Sequence, residues 1–239
     1  MIKYALTFIL ALFAASGADA QYVDLLWERL AHYPFSNGAE DISGNGNHGV
    51  VQGAVASEDF RVGDGNSYYF DGVDDHIDCG NTLPVPLTAV SVSCWIRTDQ
   101  GEGDAHVVSK VDVASSGGFI LGTQDGKVKW AGFDGSGQFL KLVSLSRIDD
   151  DRWHCLVGMV EGNSWSLHVD GTLENQVITG QGVTALTTSA PLTIGRNFTG
   201  NDGSHQCFRG LIDEVLIHGR ALNDCELEVI NTGEPYPPR

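Results

Sequence analysis

Along most of this chain apolar and polar residues alternate in short runs, punctuated by Gly, Asp and Asn. Such spacing sends successive side chains to opposite faces of an extended strand. It predicts strands over Val50–Val55, Ser67–Asp71, Asp75–Cys79, Val90–Thr98, His106–Lys110 and Gly118–Gly122. Further runs are Lys127–Gly132, Phe139–Ser144, Trp153–Val160, Ser164–Val169, Leu173–Ile178, Leu192–Gly195 and Phe208–His218. Asp125-Gly126 and Asp170-Gly171 each separate two alternating runs, as a type I′ hairpin turn demands, and Glu161-Gly162-Asn163 reads as a third turn. One stretch, Leu222–Ile230, has helical character. Asn223 suits the N-cap, Glu226 completes an Asx version of the capping box, and Leu222 with Leu227 forms a hydrophobic staple. Many short strands without interleaved helices predict an all-β, two-sheet antiparallel sandwich with one short C-terminal helix.

The ends fall outside this scheme. Residues 1–20 carry Lys3, an apolar run from Tyr4 to Ala15 and the small-x-small site Ala18-Asp19-Ala20, which together predict a signal peptide cut before Gln21. Export to a secreted, periplasmic or cell-surface location follows. Residues 21–231 then make one domain of a size usual for such sandwiches, and residues 232–239 are a Pro-rich tail. The formal net charge of −17 opposes nucleic acid and anionic membrane surfaces, because attraction to phosphate dominates those affinities. It is compatible with calcium binding or with solubility alone. Five cysteines in an exported chain imply disulfides with one thiol left over, and no CxxC spacing suggests zinc or redox chemistry.

Several segments, in order, resemble one laminin-G-like jelly-roll domain of the concanavalin A-like superfamily. His32-Tyr33-Pro34-Phe35 with Asp41-Ile42-Ser43-Gly44-Asn45-Gly46-Asn47 is similar to the family's opening motif. Phe70-Asp71-Gly72-Val73-Asp74-Asp75 resembles its FDGxDD turn, and Val90–Ile96 its core strand. Trp153-His154, Leu167–Gly171, Leu192–Gly195 and Phe208–Ile230 complete the series. The resemblance implies a concanavalin A-like sandwich whose early FDGxDD strand lies antiparallel beside the last strand. Trp95 and Trp153, large apolar groups mid-strand, are expected in the core, where each contributes on the order of 2–3 kcal/mol.

The same resemblance implies candidate sites. Related sandwiches hold a structural calcium between opening loop and closing strand, which here points to Asp41, Asn45, Asn47 and Asp213; the alternative is that the loop residues make Asx turns. Asp71, Asp74 and Asp75 form a second acidic cluster, read as a turn with solvated charges. Cys94–Cys155 is the pairing implied by the related pentraxins, and Cys79–Cys207 follows from the neighbouring first and last strands. Cys207 and Cys225 flank a strand of about eleven residues, ~35 Å, and cannot pair. Cys225 is then free or intermolecular.

Ligand binding points to aromatics among turns: Trp130, Phe133, Phe139 and Phe198, with Asn201 near the last. Sugars offer CH-rich faces to such rings. Trp130 alternates with Val128, so core placement is equally open. Asn197-Phe198-Thr199 is also a glycosylation sequon. Glucanases of this superfamily carry an ExDxxE strand that sets two carboxylates ~5–5.5 Å apart; the chain has none, nor an HExxH or GxSxG motif. The expectation is a secreted, non-catalytic, lectin-like module for a carbohydrate or extracellular glycoprotein. A glycoside hydrolase and a structural or adhesive surface component are the alternatives.

Overall fold

Among the described residues the alternating runs fold as fifteen strands in two antiparallel sheets, with one helix after the last. The structure is a computed structural model that describes residues 24–58, 66–81, 83, 88–182, 186, 188–197 and 206–232. The expected signal peptide and tail, except Thr232, therefore lie outside the described residues. First come β1 (Arg29–Tyr33), β2 (Val50–Gln52), β3 (Val55–Glu58), β4 (Asn66–Asp71) and β5 (His76–Asp78). The long strands β6 (Ala89–Arg97), β7 (Asp104–Asp112), β8 (Gly117–Gln124), β9 (Lys127–Phe133) and β10 (Phe139–Arg147) follow. Then β11 (Trp153–Glu161), β12 (Ser164–Val169), β13 (Thr172–Ile178), β14 (Thr193–Ile194) and β15 (Arg209–His218) lead into helix α1 (Asp224–Thr232).

One sheet of eight strands runs β13-β12-β11-β6-β15-β4-β3, with β1 added beside β15; the other, of seven, runs β10-β9-β8-β7-β14-β5-β2. The early and late strands are neighbours as expected, because β15 pairs with β4, β1 and β6. One expected strand is split between the sheets, and two expected neighbours, Ser67–Asp71 and Asp75–Cys79, fall in different ones. Val50–Val55 divides at Gly53-Ala54 into β2 and β3, and the FDGxDD segment divides at Gly72–Asp75 into β4 and β5. Each turn carries the chain from one layer to the other.

The register fixes which side chains face inward. Leu121, Trp130 and Leu142 form one cross-strand row of the seven-stranded sheet and are buried in the core. Val90, Val92, Cys94 and Ile96 do the same from β6. Trp130 spans the layers: its Nε1 donates to the Met159 carbonyl on β11 (3.1 Å), and its ring centroid lies 5.8 Å from that of Trp165. A Cβ added to Gly158 would sit 2.3 Å from the Trp130 ring, so the indole lies directly on that glycine.

The same register corrects the two other tryptophans. Trp95 is out of phase with Val92 and Cys94 and faces outward, packed beneath α1 with Cys155, Val157 and Met159. Its indole donates to the Ile230 carbonyl (3.3 Å). Trp153 is half-buried at the start of β11, opposite Arg97. The inter-sheet tryptophans are instead Trp130 and Trp165, both 0% exposed.

Phase also corrects the cysteines, none of which is disulfide-bonded. Cys94 pairs with Leu156 and Cys155 with Trp95, so the two thiols project from opposite faces of one sheet. Cys207 bridges His106, whereas Asp78 is level with Thr193 and Ser109. Cys79 therefore lies roughly 10–13 Å along the sheet from Cys207, beyond disulfide reach. The expectation failed because β5 belongs to the other layer.

The predicted turns and cap form. Asp125 and Gly126 have φ of 51° and 76°, and Asp170 and Gly171 repeat those values, the positive pair of a type I′ turn. Glu226 N donates to Asn223 Oδ1 (3.0 Å) and Asn223 N to Glu226 Oε2 (2.9 Å), a reciprocal capping box. Glu226 also receives a bidentate Arg220 guanidinium at 2.7 and 2.8 Å. Arg220 in turn donates to the Asp24 carbonyl (2.7 Å) and stacks over Trp27 at 5.1 Å, tying the chain's early segment to the helix.

His154 joins the Asp170 turn to the approach of β11. Its Nδ1 meets Asp170 Oδ2 at 2.8 Å and its Nε2 meets Asp150 Oδ1 at 3.0 Å. The Asp170 contact, helped by Asp150 and opposed by burial, raises its pKa above the usual histidine value. A raised folded-state pKa gives stability that is fully present below the unfolded value of about 6.5 and is lost as pH rises through the folded one. The melting-temperature gap between the parent and His154→Gln is therefore expected to be larger at pH 5.5 than at pH 8.5. Equal gaps in thermal melts would remove this clamp.

Candidate functional site

With Leu121, Trp130 and Leu142 turned inward, the alternate residues of the seven-stranded sheet face outward. One outward row is His106–Gly122–Lys129–Val143 and the next is Ser109–Ile120–Ala131–Lys141, with Thr193 beside Ser109. Outer faces are ordinarily polar and wet, yet His106, Lys129, Ser109, Thr193 and Ala131 are each 2% exposed or less. Val111, Ile120, Ala131 and Phe133 form a separate apolar cluster here.

Arg196, Asn197 and Gln206 are fastened to this face. Ser109 Oγ (3.1 Å) and Thr193 Oγ1 (2.8 Å) donate to the Arg196 carbonyl. The His106 amide donates to the Gln206 carbonyl (2.8 Å), and Asn197 Nδ2 to Gln206 Oε1 (3.1 Å). Phe198 and Asn201, two of the expected ligand contacts, lie outside the described residues. Trp130, the third, is corrected: fully buried between the layers, it has no surface to offer a ligand.

At the open edge, Phe139 on β10 is 45% exposed and lies edge-on to Phe133, centroids 5.2 Å apart. Lys141, two residues on and on the same face, donates to Gln124 Oε1 (3.0 Å). Lys129 is ion-paired to Asp104. Burial lowers the Lys129 pKa, Asp104 opposes that and Lys141 adds to it. Burial, then the Lys129 charge, holds the His106 pKa well below its ordinary value, and among the described residues the buried His106 Nδ1 has no hydrogen-bond partner. The accessible part of the face thus combines the Phe139 ring with the Lys141 ammonium and the Gln124 amide, while His106 and Lys129 are buried beneath it. Sequence reasoning noticed Phe133 and Phe139; the lysines escaped it because their common face appears only in the register.

The expected calcium ligands organise a different feature. Asp41 Oδ1 accepts from the His32 (3.0 Å) and Ser43 (2.9 Å) amides, and Oδ2 from Ser43 Oγ and the Asn47 amide, both at 2.9 Å. Burial pushes the Asp41 pKa up, but these donors outweigh it and hold the carboxylate below its usual range. Asn45 and Asn47 turn their amide nitrogens to the Leu30 carbonyl (3.1 and 2.7 Å). Asp213 stands on β15 opposite Trp95 and accepts from the Glu214 amide (2.7 Å). A carboxylate already engaged by four protein donors does not fit a calcium ligand, whereas it does fit an Asx knot. Chelator is therefore expected to leave the melting temperature unchanged, while Asp41→Asn costs about 1.5–3 kcal/mol by replacing charge-assisted bonds. A chelator-induced drop would restore the metal. Asp71, Asp74 and Asp75 do converge, and their contacts are those of a turn: Asp75 Oδ2 accepts from the Asp71 amide and Asp71 Oδ1 from the Val73 amide.

A family profile described as the concanavalin A-like lectin/glucanases superfamily, Laminin_G_3, matches residues 70–228, more than half of the 239. The chain belongs to that superfamily. Among solved structures of the same fold is domain 4 of AbnA, a GH43 extracellular arabinanase from Geobacillus stearothermophilus, in complex with arabinotriose. It is 20% identical, with a TM-score of 0.68, over 85% of this chain and 98% of that one. The binding domain of paraclostridial mosquitocidal protein 1 is 18% identical, TM-score 0.68, over 87% of this chain and 52% of that one. The binding domain of botulinum neurotoxin DC in complex with SialylT is 11% identical, TM-score 0.64, over 89% and 53%. The chain thus spans about half of each toxin domain. No curated protein matches it in sequence. Among the described residues no helix is long and apolar enough to cross a membrane.

Proposed function

We propose that this protein is an exported, non-catalytic module that binds a carbohydrate on the outer face of its seven-stranded sheet. The observation that carries the reading is the Phe133–Phe139 pair at the open edge, with Phe139 half exposed and Lys141 and Gln124 beside it. A half-exposed ring backed by a second ring offers a rigid apolar platform to a sugar, and neighbouring donors set its orientation. The arabinotriose and SialylT complexes of two neighbours of the same fold support a saccharide over a purely protein partner. Asp104, a carboxylate of this face, is committed to Lys129, and the chain lacks the ExDxxE strand of the superfamily's glucanases. Both points favour binding over hydrolysis. A glycan array tests the reading. Retention of saccharide, reduced about tenfold by Phe139→Ala with the melting temperature kept, is expected, tenfold being ~1.4 kcal/mol. Turnover of a retained polysaccharide would make it an enzyme, and an empty array would remove the carbohydrate.

A further inference from the structure

The lysines of this chain are not spread over its surface. There are five, Lys3, Lys110, Lys127, Lys129 and Lys141, and the four after Lys3 all belong to β7, β9 and β10 of the seven-stranded sheet. The eight-stranded sheet has none. In a chain of net charge −17, cations gain most by dispersing among the carboxylates. Here Lys127, Lys129 and Lys141 crowd onto one face of two adjacent strands. Lys127 stands directly opposite Arg147, and Lys129 and Lys141 are diagonal neighbours, because Lys129 pairs with Val143 and Lys141 with Ala131. Like charges opposite one another weaken a sheet. Lys129 is also 2% exposed, a further cost for an ammonium group.

Local carboxylates only partly offset this. Asp104 pairs with Lys129 and Asp149 with Arg147. Among the described residues no carboxylate forms an ion pair with Lys127 or Lys141, and Lys141 is exposed and held by the neutral Gln124. The Lys141 ammonium rises from the same strand face as the Phe139 ring, two residues or ~7 Å away. One monosaccharide resting on Phe139 would place a substituent within reach of Lys141.

We infer that the saccharide taken by this face is acidic, carrying carboxylate or sulfate groups that Lys141 and Lys127 neutralise. The inference rests on the binding reading above and narrows it from carbohydrate to anionic glycan. The net negative charge elsewhere does not forbid it. Repulsion from charges farther than a Debye length, ~8 Å at physiological ionic strength, is largely screened, and the cations on this face act at contact.

The test is retention of the whole protein on immobilised polygalacturonate (carboxylate), heparin (sulfate), and the neutral polymers arabinan and dextran. Expected is retention on an acidic polymer that weakens at least tenfold between 50 and 300 mM salt, on the order of the loss screening imposes on contacts made by two ammonium groups. The Lys127→Gln/Lys141→Gln variant, its fold checked by an unchanged melting temperature, should lose about tenfold on the acidic polymer. Which acidic polymer retains the protein separates carboxylate from sulfate. Retention on neutral polymers alone, or acidic retention indifferent to both lysines, overturns the inference and leaves the binding face standing. Retention on none overturns both.

Discussion

Trp130→Ala is expected to destabilise the protein by about 3–5 kcal/mol, in the range for deleting a buried tryptophan. Three losses combine. The ring packs against Phe119 and Trp165, at 5.9 and 5.8 Å, and its removal opens a cavity between the sheets. The Met159 carbonyl loses its donor from the opposite layer. Gly158, kept bare so that the indole can lie on it, is left facing the void. Trp130→Phe isolates the hydrogen bond and should cost less, about 1–3 kcal/mol. Denaturant unfolding reads both changes. Were Trp130→Ala to keep its stability and lose ligand instead, the indole would be a contact surface and the register of β9 would be wrong.

Glu226→Ala should cost as much, about 3–5 kcal/mol, because it strands a buried guanidinium. Arg220 is 9% exposed and Glu226 1%. The carboxylate also accepts from the amides of Asn223 and Asp24, so one side chain closes the helix cap and anchors the segment before β1. Replacing both partners by apolar residues of similar size should recover much of the loss, since neither charge is then left alone. Burial pushes the Glu226 pKa up, but Arg220 and the two amides outweigh it and hold it below the usual value. Its stabilising contribution is therefore present above the unfolded pKa of about 4.3 and disappears as pH falls through the folded one. Equal unfolding free energies for Glu226→Ala and the parent at pH 7 would refute the role assigned to the pair.

Much of the sandwich could be read from residue order alone, for reasons the coordinates make plain. Asn223 and Glu226 cap a helix by purely local contacts, and the Asp-Gly turns need only the two residues that make them. Val128 and Trp130 share a phase, and both are in the core. On β6 the alternation decides what size and family resemblance do not. Val90, Val92 and Cys94 alternate inward, which already places Trp95 on the other face and, across the pair, Cys155 with it. The split of Phe70–Cys79 between layers was harder to see. Nothing in a run of ten residues reveals that Gly72–Asp75 changes sheet rather than turning within one. The binding face was the least legible part, because Phe139, Lys129, Lys141 and His106 come together only through strand pairing.

The placement of β15 has a consequence for how the protein is made. This strand is read late, at Arg209–His218, yet it sits between β6 on one side and β1 and β4 on the other. A nascent chain that has not reached it holds two half-sheets with open edges facing each other across a missing ribbon. Such edges are sticky, and contacts so distant in sequence form slowly. Folding of this sandwich therefore waits until β15 has left the ribosome, and a truncation before Arg209 should yield aggregate rather than a smaller domain.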